Sequence, residues 1–213
     1  MAQVCGGGNR TPENAEEGIY VYSIDGYLYT KEEWDTSKNN DVVGIGIIKN
    51  NHKFVVDITG FKTHSCVFYS GVTKTSVPFI IEFDDAVVSY IGYENTQFSL
   101  NNDAPDVYSK DSAIKLCNDY IFPNGSRGYL LASGELQIVI KNQVEINNLI
   151  QLVGGSIFDF TTDKIIVTST PSNSDTTYIW GYRHSISVIE ISQDLYSLEG
   201  YYGSAYHFVC CKF

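Results

Sequence analysis

Apolar and polar residues alternate in short blocks at the two ends of the chain and recur at helical spacing in between. From residue 18 to 34, GIYVYSIDGYLYTKEEW gives two short β-rich runs on either side of Asp25-Gly26, a dipeptide suited to the tight turn of a hairpin. The arrangement repeats downstream. Residues 42–48 and 53–58 read as apolar strands, and KNNH between them is the turn. From 62 to 109 the apolar runs are short and broken by Gly, Asn, Asp and Pro, so this part reads as loop-rich with no assigned element.

Two helical patterns follow. In SKDSAIKLCNDYIF, Ala113, Ile114, Cys117, Tyr120 and Ile121 recur at helical spacing, with Ser109 or Asp111 placed to cap the start and Pro123 to stop the run. A second helix opens at Ser133 or a neighbour and uses Leu136, Val139 and Ile140. Residues 145–153 supply another amphipathic turn or two, ended by Gly154-Gly155. The chain then returns to β character at 164–168, 178–182, 185–191 and 205–213. Strands, then helices, then strands predict an α+β domain with its two ends paired in one sheet. Residues 1–17 lack a periodic apolar pattern and read as a flexible leader, which leaves 18–213 as a single domain.

Charge narrows the partners. A formal net charge of -11 and a sequence pI near 4.6 oppose nucleic acid, whose affinity rests on Lys and Arg neutralising phosphates. No apolar run is long enough to span a bilayer, so direct membrane insertion is not expected, and the first residues lack the basic start and apolar stretch of a secretory signal. The five cysteines, Cys5, Cys66, Cys117, Cys210 and Cys211, show no metal-finger spacing and read as reduced, buried small residues.

Catalytic and metal chemistry is thinly represented. His52, His64, His184 and His207 form no paired ligand motif and read as polar surface residues. GVTKTS at 71–76 lacks the glycine spacing of a phosphate loop, and Asp84-Asp85 reads as a solvated turn. No cofactor, metal or catalytic residue is expected. What stands out is the stretch from 176 onward, which gathers Tyr178, Tyr182, Tyr196, Tyr201, Tyr202 and Tyr206 among Ser, Gly, His and Arg. Tyrosine offers a stiff amphipathic surface at low entropic cost, and Ser and Gly supply adaptable hydrogen bonding, the vocabulary of antibody binding loops. Half-buried strand packing is the alternative role for each tyrosine.

Two stretches carry a family resemblance: CNDYIFPNGSRGYLLASGELQIVIKNQVEINNLIQLVGG and DGYLYTKEEWDTSKNNDVVGIGII. Their order of parts resembles the C-type-lectin-fold proteins related to formylglycine-generating enzymes, above all the variable ligand-binding proteins of diversity-generating retroelements of Bacteroides or phage type. The likeness covers roughly residues 18–213. In the final third, Thr168-Ser169-Thr170, Ile179-Trp180 and Phe208-Val209 match the family's pattern, whereas a Cys-Cys-Lys-Phe ending replaces its Arg-Ala.

The resemblance implies a C-type lectin fold, two helices packed on short antiparallel sheets with a loop-rich C-terminal region, and a ligand-binding rather than enzymatic role. It also implies adenine-directed diversification, which never produces Lys, Glu, Gln, Met or Trp from an AAC codon. Between 166 and 213 those residue types occur only at Trp180, Glu190, Gln193, Glu199 and Lys212, which are then fixed framework, with Trp180 as an anchor. The implied contact positions are Tyr178, Tyr182, Arg183, His184, Ser185, Ser187, Ile189, Tyr196, Tyr201, Tyr202, Ser204 and Tyr206. The expected partner is a cell-surface protein or glycan receptor, met at a phage tail tip or fibre, with homo-oligomerisation possible. A bacterial surface adhesin, a structural virion subunit and an enzyme of the formylglycine-generating type acting through Cys210 and Cys211 are the alternatives.

Overall fold

The computed structural model describes residues 10–64, 80, 82–102, 113–161, 165–171, 178–183, 187–192 and 205–213. Strand β1 (Gly18–Ser23) turns back into β2 (Leu28–Tyr29) through the Asp-Gly pair. Gly26 takes φ +84°, a conformation glycine adopts without strain, and Asp25 Oδ1 accepts the Tyr27 N–H at 3.0 Å. The second hairpin joins β3 (Val42–Lys49) to β4 (His52–Val56), again as expected. Its turn residues Asn50 and Asn51 stand at φ 53° and 64°, the paired left-handed positions that match strand twist and that asparagine tolerates.

These strands belong to a six-stranded sheet in the order β2-β1-β3-β4-β11-β6, completed by β6 (Tyr129–Leu130) and β11 (Val209–Cys211). The second sheet runs β5-β10-β7-β8-β9, from β5 (Lys62–His64) through β10 (Ala205–His207) and β7 (Ile165–Pro171) to β8 (Tyr178–Arg183) and β9 (Ser187–Ser192). Among the described residues of this sheet only β10 and β7 pair in parallel; the other neighbours are antiparallel.

The expected pairing of both chain ends in one sheet holds for β11, which lies between β4 and β6. The single strand expected at 205–213 is instead two. Phe208 breaks it, leaving β10 in the second sheet and β11 in the first. Residues 207 to 211 are all buried, so the sequence there is uniformly inward-facing and carries no alternation that would mark the break. His207, expected at the surface, is 1% exposed for the same reason.

Helix α3 (Ala113–Asp119) buries Ile114 and Cys117 completely and ends ahead of Pro123. The run expected from 133 is two helices, α4 (Ser133–Lys141) and α5 (Gln143–Leu152), meeting at Asn142, whose φ of -111° and ψ of 15° interrupt the helical backbone. Gly154 at φ +80° then closes α5, and the Gly155 N–H reaches back to the Ile150 carbonyl at 2.8 Å, as the Gly-Gly stop predicts.

Two helices come from the stretch that had no assigned element: the short α1 (Phe83–Ala86) and the eleven-residue α2 (Gly92–Asn102). The core-facing side of α2 is polar, with Asn95, Thr96 and Ser99 buried, while Phe98 is 44% exposed. That inversion removes the apolar period by which a helix is recognised. Residues 10–17, expected to be loose, are docked. Arg10 makes a bidentate pair with Glu33, its guanidinium donates to the Leu28 carbonyl and its own carbonyl accepts the Leu28 N–H, Pro12 is buried, and Lys53 Nζ donates to the Pro12 carbonyl at 2.5 Å.

The core runs continuously from the first sheet through α3, α4 and α5 to β7 and Phe208. Phe208 is fully buried between Phe158 (ring centroids 4.8 Å apart) and Phe61 (5.9 Å), and Phe61 also meets Phe160 at 5.1 Å. Replacing Phe208 with Ala removes the ring on which both sheets converge, and is expected to cost about 3–5 kcal/mol of unfolding free energy. Urea denaturation followed by tryptophan fluorescence measures it, with Val144→Ala, at an exposed position on α5, as the near-neutral control.

Candidate binding surface

The second sheet hangs from the rest of the molecule by β7, all of whose residues are buried. Part of that strand is polar: Thr168, Ser169 and Thr170 are each 1% exposed or less. Buried hydroxyls and peptide groups cost free energy unless paired, and here they are paired across elements. The Ser169 N–H donates to the Leu131 carbonyl at 2.8 Å, Asn95 Nδ2 of α2 donates to the Ser169 carbonyl at 3.1 Å, and the Ser133 N–H donates to Thr170 Oγ1 at 3.0 Å. The Thr-Ser-Thr stretch is therefore a bracket that fixes β7 to α2 and to the start of α4.

From β7 the register carries outward. Ile166 pairs with Tyr182 of β8 and Tyr206 of β10, and Tyr182 pairs with Val188 of β9. Cross-strand partners share a face, so Tyr206, Ile166 and Tyr182 form one transverse row. Tyr182 and Tyr206 are half-buried. Tyr182 meets Phe160 edge-on at 5.8 Å and Tyr206 meets Phe61 at 6.3 Å, while burial pushes the Tyr182 hydroxyl pKa upward. These two tyrosines thus anchor the sheet to the aromatic cluster around Phe208 as well as edging its surface.

The β8–β9 ladder separates the remaining candidates. Tyr178, Trp180 and Tyr182 oppose Ser192, Glu190 and Val188 in one set of alternate positions; Ile179, Gly181 and Arg183 oppose Ile191, Ile189 and Ser187 in the other. In this register Tyr178 and Tyr182 belong to the first set, and Arg183, Ser187 and Ile189 to the second. Trp180 and Glu190, both expected as fixed framework, sit directly across from each other. His184, Ser185, Tyr196, Tyr201, Tyr202 and Ser204 lie outside the described residues. The ends of the connection that holds the last four are well separated in the sheet, because β9 and β10 have β8 and β7 between them, about 14 Å at ordinary strand spacing.

A buried carboxyl that the sequence reading did not single out organises the support. Glu135, 5% exposed, accepts from the Ala132 N–H at 2.7 Å and the Tyr129 hydroxyl at 3.1 Å, and also from the Gly92 N–H. Ala132 precedes α4 and Gly92 opens α2, so one side chain serves the starts of two helices. A Cβ on Gly92 would come within 2.3 Å of Glu135 Oε2, which reserves that position for glycine. Burial is the main cause that lifts the Glu135 pKa to about 7; Glu94 adds to the lift and the three donated bonds oppose it. The signal in the sequence was a Glu three residues into the helix, without the Ser or Thr that usually completes the capping box.

A second buried acid pins the passage between sheets. Asp57, 2% exposed, follows β4 and accepts from the Tyr120 hydroxyl at 2.8 Å and from the Thr59 hydroxyl, with Lys62 Nζ of β5 at 3.6 Å. Lys62 also lies 4.1 Å from the centre of the Tyr120 ring. Burial and the neighbouring carboxylate push the Tyr120 hydroxyl strongly up, so it acts as a donor.

Cys117, Cys210 and Cys211 are buried free thiols, and burial raises the pKa of each, with Asp57 and, for Cys210, Glu135 adding to the effect. A thiolate is disfavoured at all three, which supports their role in packing. His52 stacks on Tyr90 with ring centroids 3.7 Å apart, and its pKa is lowered by burial. A cleft of about 340 Å³ opens between β1, Thr30–Glu32 and α5, lined by polar residues such as Lys31, Glu32 and Glu145 and by apolar ones such as Ile19 and Leu149. Among the described residues no group of three or more His, Cys, Asp or Glu could hold a metal ion, and no helix is long and apolar enough to cross a membrane.

No protein-family model, curated protein or solved structure matches this chain.

The Glu135 carboxyl has a pH consequence. Its pKa is raised in the folded state, so its stabilising contribution is complete below about pH 4.5 and is lost as pH rises to about 7, by on the order of 3 kcal/mol. His52, lowered by burial, works in the opposite direction over the same range. The difference in unfolding free energy between the wild type and Glu135→Gln isolates the carboxyl. That difference is expected to fall between pH 4.5 and 7.5, and a flat difference curve in urea titrations would count against it.

Proposed function

We propose that this chain is a ligand-binding protein of the C-type-lectin-fold variable type, presenting a diversified, tyrosine-rich surface on its second sheet. The observation that carries the reading is the position of the candidate residues. Tyr178, Tyr182, Arg183, Ser187 and Ile189 all lie on β8 and β9, the two strands that continue the sheet from one side of the bracketed strand β7 to its edge. A surface that changes its side chains while keeping its fold needs this division, with variation on outer strands and connections and a polar-locked, apolar-packed support beneath.

The direct pairing of Trp180 with Glu190 supports the same reading. Two residues of kinds that adenine-directed diversification cannot produce stand opposite each other in a ladder whose other candidate positions admit exchange. Binding then comes from desolvating several tyrosine rings against a partner, with Arg183 and His184 adding polar specificity. The partner is a cell-surface protein or glycan, and the setting is a phage tail tip or fibre, where host recognition rewards change.

Two measurements test this. Sequencing the DNA that flanks the gene is expected to find a near-copy of the segment encoding 166–213, differing mainly at adenines, close to a reverse transcriptase gene. The differing codons should fall among the twelve candidate positions and spare Trp180 and Glu190. Absence of such a copy rejects diversification. For an identified receptor, replacing Tyr182, Tyr201 and Tyr202 together with Ala is expected to weaken binding by at least about a hundredfold, since tyrosine hot spots contribute more than 1 kcal/mol each. Because Tyr182 also packs on Phe160, circular dichroism of the same variant must show an intact fold.

A further inference from the structure

The two sheets have four edges, and three are blunt. β2 and β6 are two residues long, and β5 is three residues long and carries Lys62, both common protections against unwanted strand pairing. The fourth edge, β9, is different. It runs six residues, SVIEIS, and pairs with β8 at every position from Tyr178↔Ser192 to Arg183↔Ser187 without a bulge. It contains no Pro, Gly or Lys, and Val188, Ile189 and Ile191 are β-branched. Among the described residues nothing pairs with its outer side, where alternate residues of a strand direct their N–H and C=O groups.

We propose that the outer edge of β9 is the docking line for an extended, neutral or basic polypeptide segment of the partner, which adds a sixth strand to the second sheet. This rests on the reading of that sheet as the binding surface and narrows it from protein or glycan to protein. Main-chain hydrogen bonds are the part of a recognition surface that does not change when side chains are exchanged. β9 therefore supplies a constant grip, and the neighbouring positions on β8 and β9 choose among the strands that can be gripped. Charge selects the occupant. The chain carries -11 and places Glu190 in the middle of β9, so a second copy would bring the same charge and a second Glu190 to the seam, whereas a lysine-bearing strand meets an attractive field.

The test uses the full chain and a defined probe: a heptapeptide of alternating threonine and valine, with lysine at both ends, added up to about 5 mM because a lone strand binds weakly. Hydrogen exchange followed by NMR is expected to show about tenfold slower exchange at alternate amides of β9 and at no other sheet edge. The same peptide N-methylated at every residue, which removes its donors along both sides, is expected to have no effect. Three results would overturn the proposal: no protection of β9 by the parent peptide, equal protection by the N-methylated one, or a concentration-dependent dimer in sedimentation whose protected amides are those of β9. The search for an adenine-differing gene copy does not involve β9, so a failure here leaves the reading of a diversified tyrosine surface to stand or fall separately.

Discussion

One short segment has to satisfy two sheets at once, and the rest of the architecture follows from how it does so. β10 and β11 are separated by a single residue, Phe208, yet they pair with different partners in different sheets. A strand can change sheets so abruptly only if the residue at the break is held by something other than a ladder, and the Phe61 and Phe158 rings, both packed on Phe160, provide that hold. The opposite crossing, from β4 to β5, lies beside it. The Asp57 N–H donates to the Val209 carbonyl at 3.0 Å and the Asp57 side chain takes up Tyr120 and Lys62. The two crossings brace each other, one through apolar contact and the other through a buried carboxylate with its donors satisfied.

The support for the second sheet is built in a different way. The inner side of α2, the start of α4 and the middle of β7 meet through hydroxyls, peptide groups and the Glu135 carboxyl, in a region where most domains would place leucine and valine. Directional bonds fix relative position more tightly than apolar contact does, because each has a preferred length and angle. A surface that depends on where its outer strands lie benefits from such a mounting. Two serine hydroxyls, on Ser89 and Ser99, remain buried without partners, the cost of a polar seam that is not completely matched.

Much of the fold was legible in the sequence because it rests on local chemistry. The Asp25-Gly26 and Asn50-Asn51 turns, the Gly154-Gly155 stop and the strands around Ile45, Val55 and Ile166 each carry their own signal within a few residues. What escaped depends on neighbours that sequence does not display. Asn95 and Thr96 look like a solvated face until β7 and β6 supply their partners. Phe208 looks like one more apolar strand residue until the ring cluster forms. Glu135 looks like a surface acid at the start of a helix until Gly92 and Tyr129 close over it. Of the candidate surface, the shared strands were foreseeable from the Tyr-rich pattern, but not that Tyr182 and Tyr206 lean toward the aromatic cluster.

The place of β11 inside the first sheet also bears on how the protein is made. On the ribosome, β1 to β4 emerge early and can zip into their hairpins, but the sheet they begin stays open along β4 until residues 209–211 have been synthesised and inserted next to Val55 and Val56. β6 is translated long before β11 yet has no strand partner in that sheet until β11 arrives. The nascent chain therefore carries an unfinished apolar edge from the synthesis of β4 until β11 follows, and the first sheet closes only after every other one of its strands has been made.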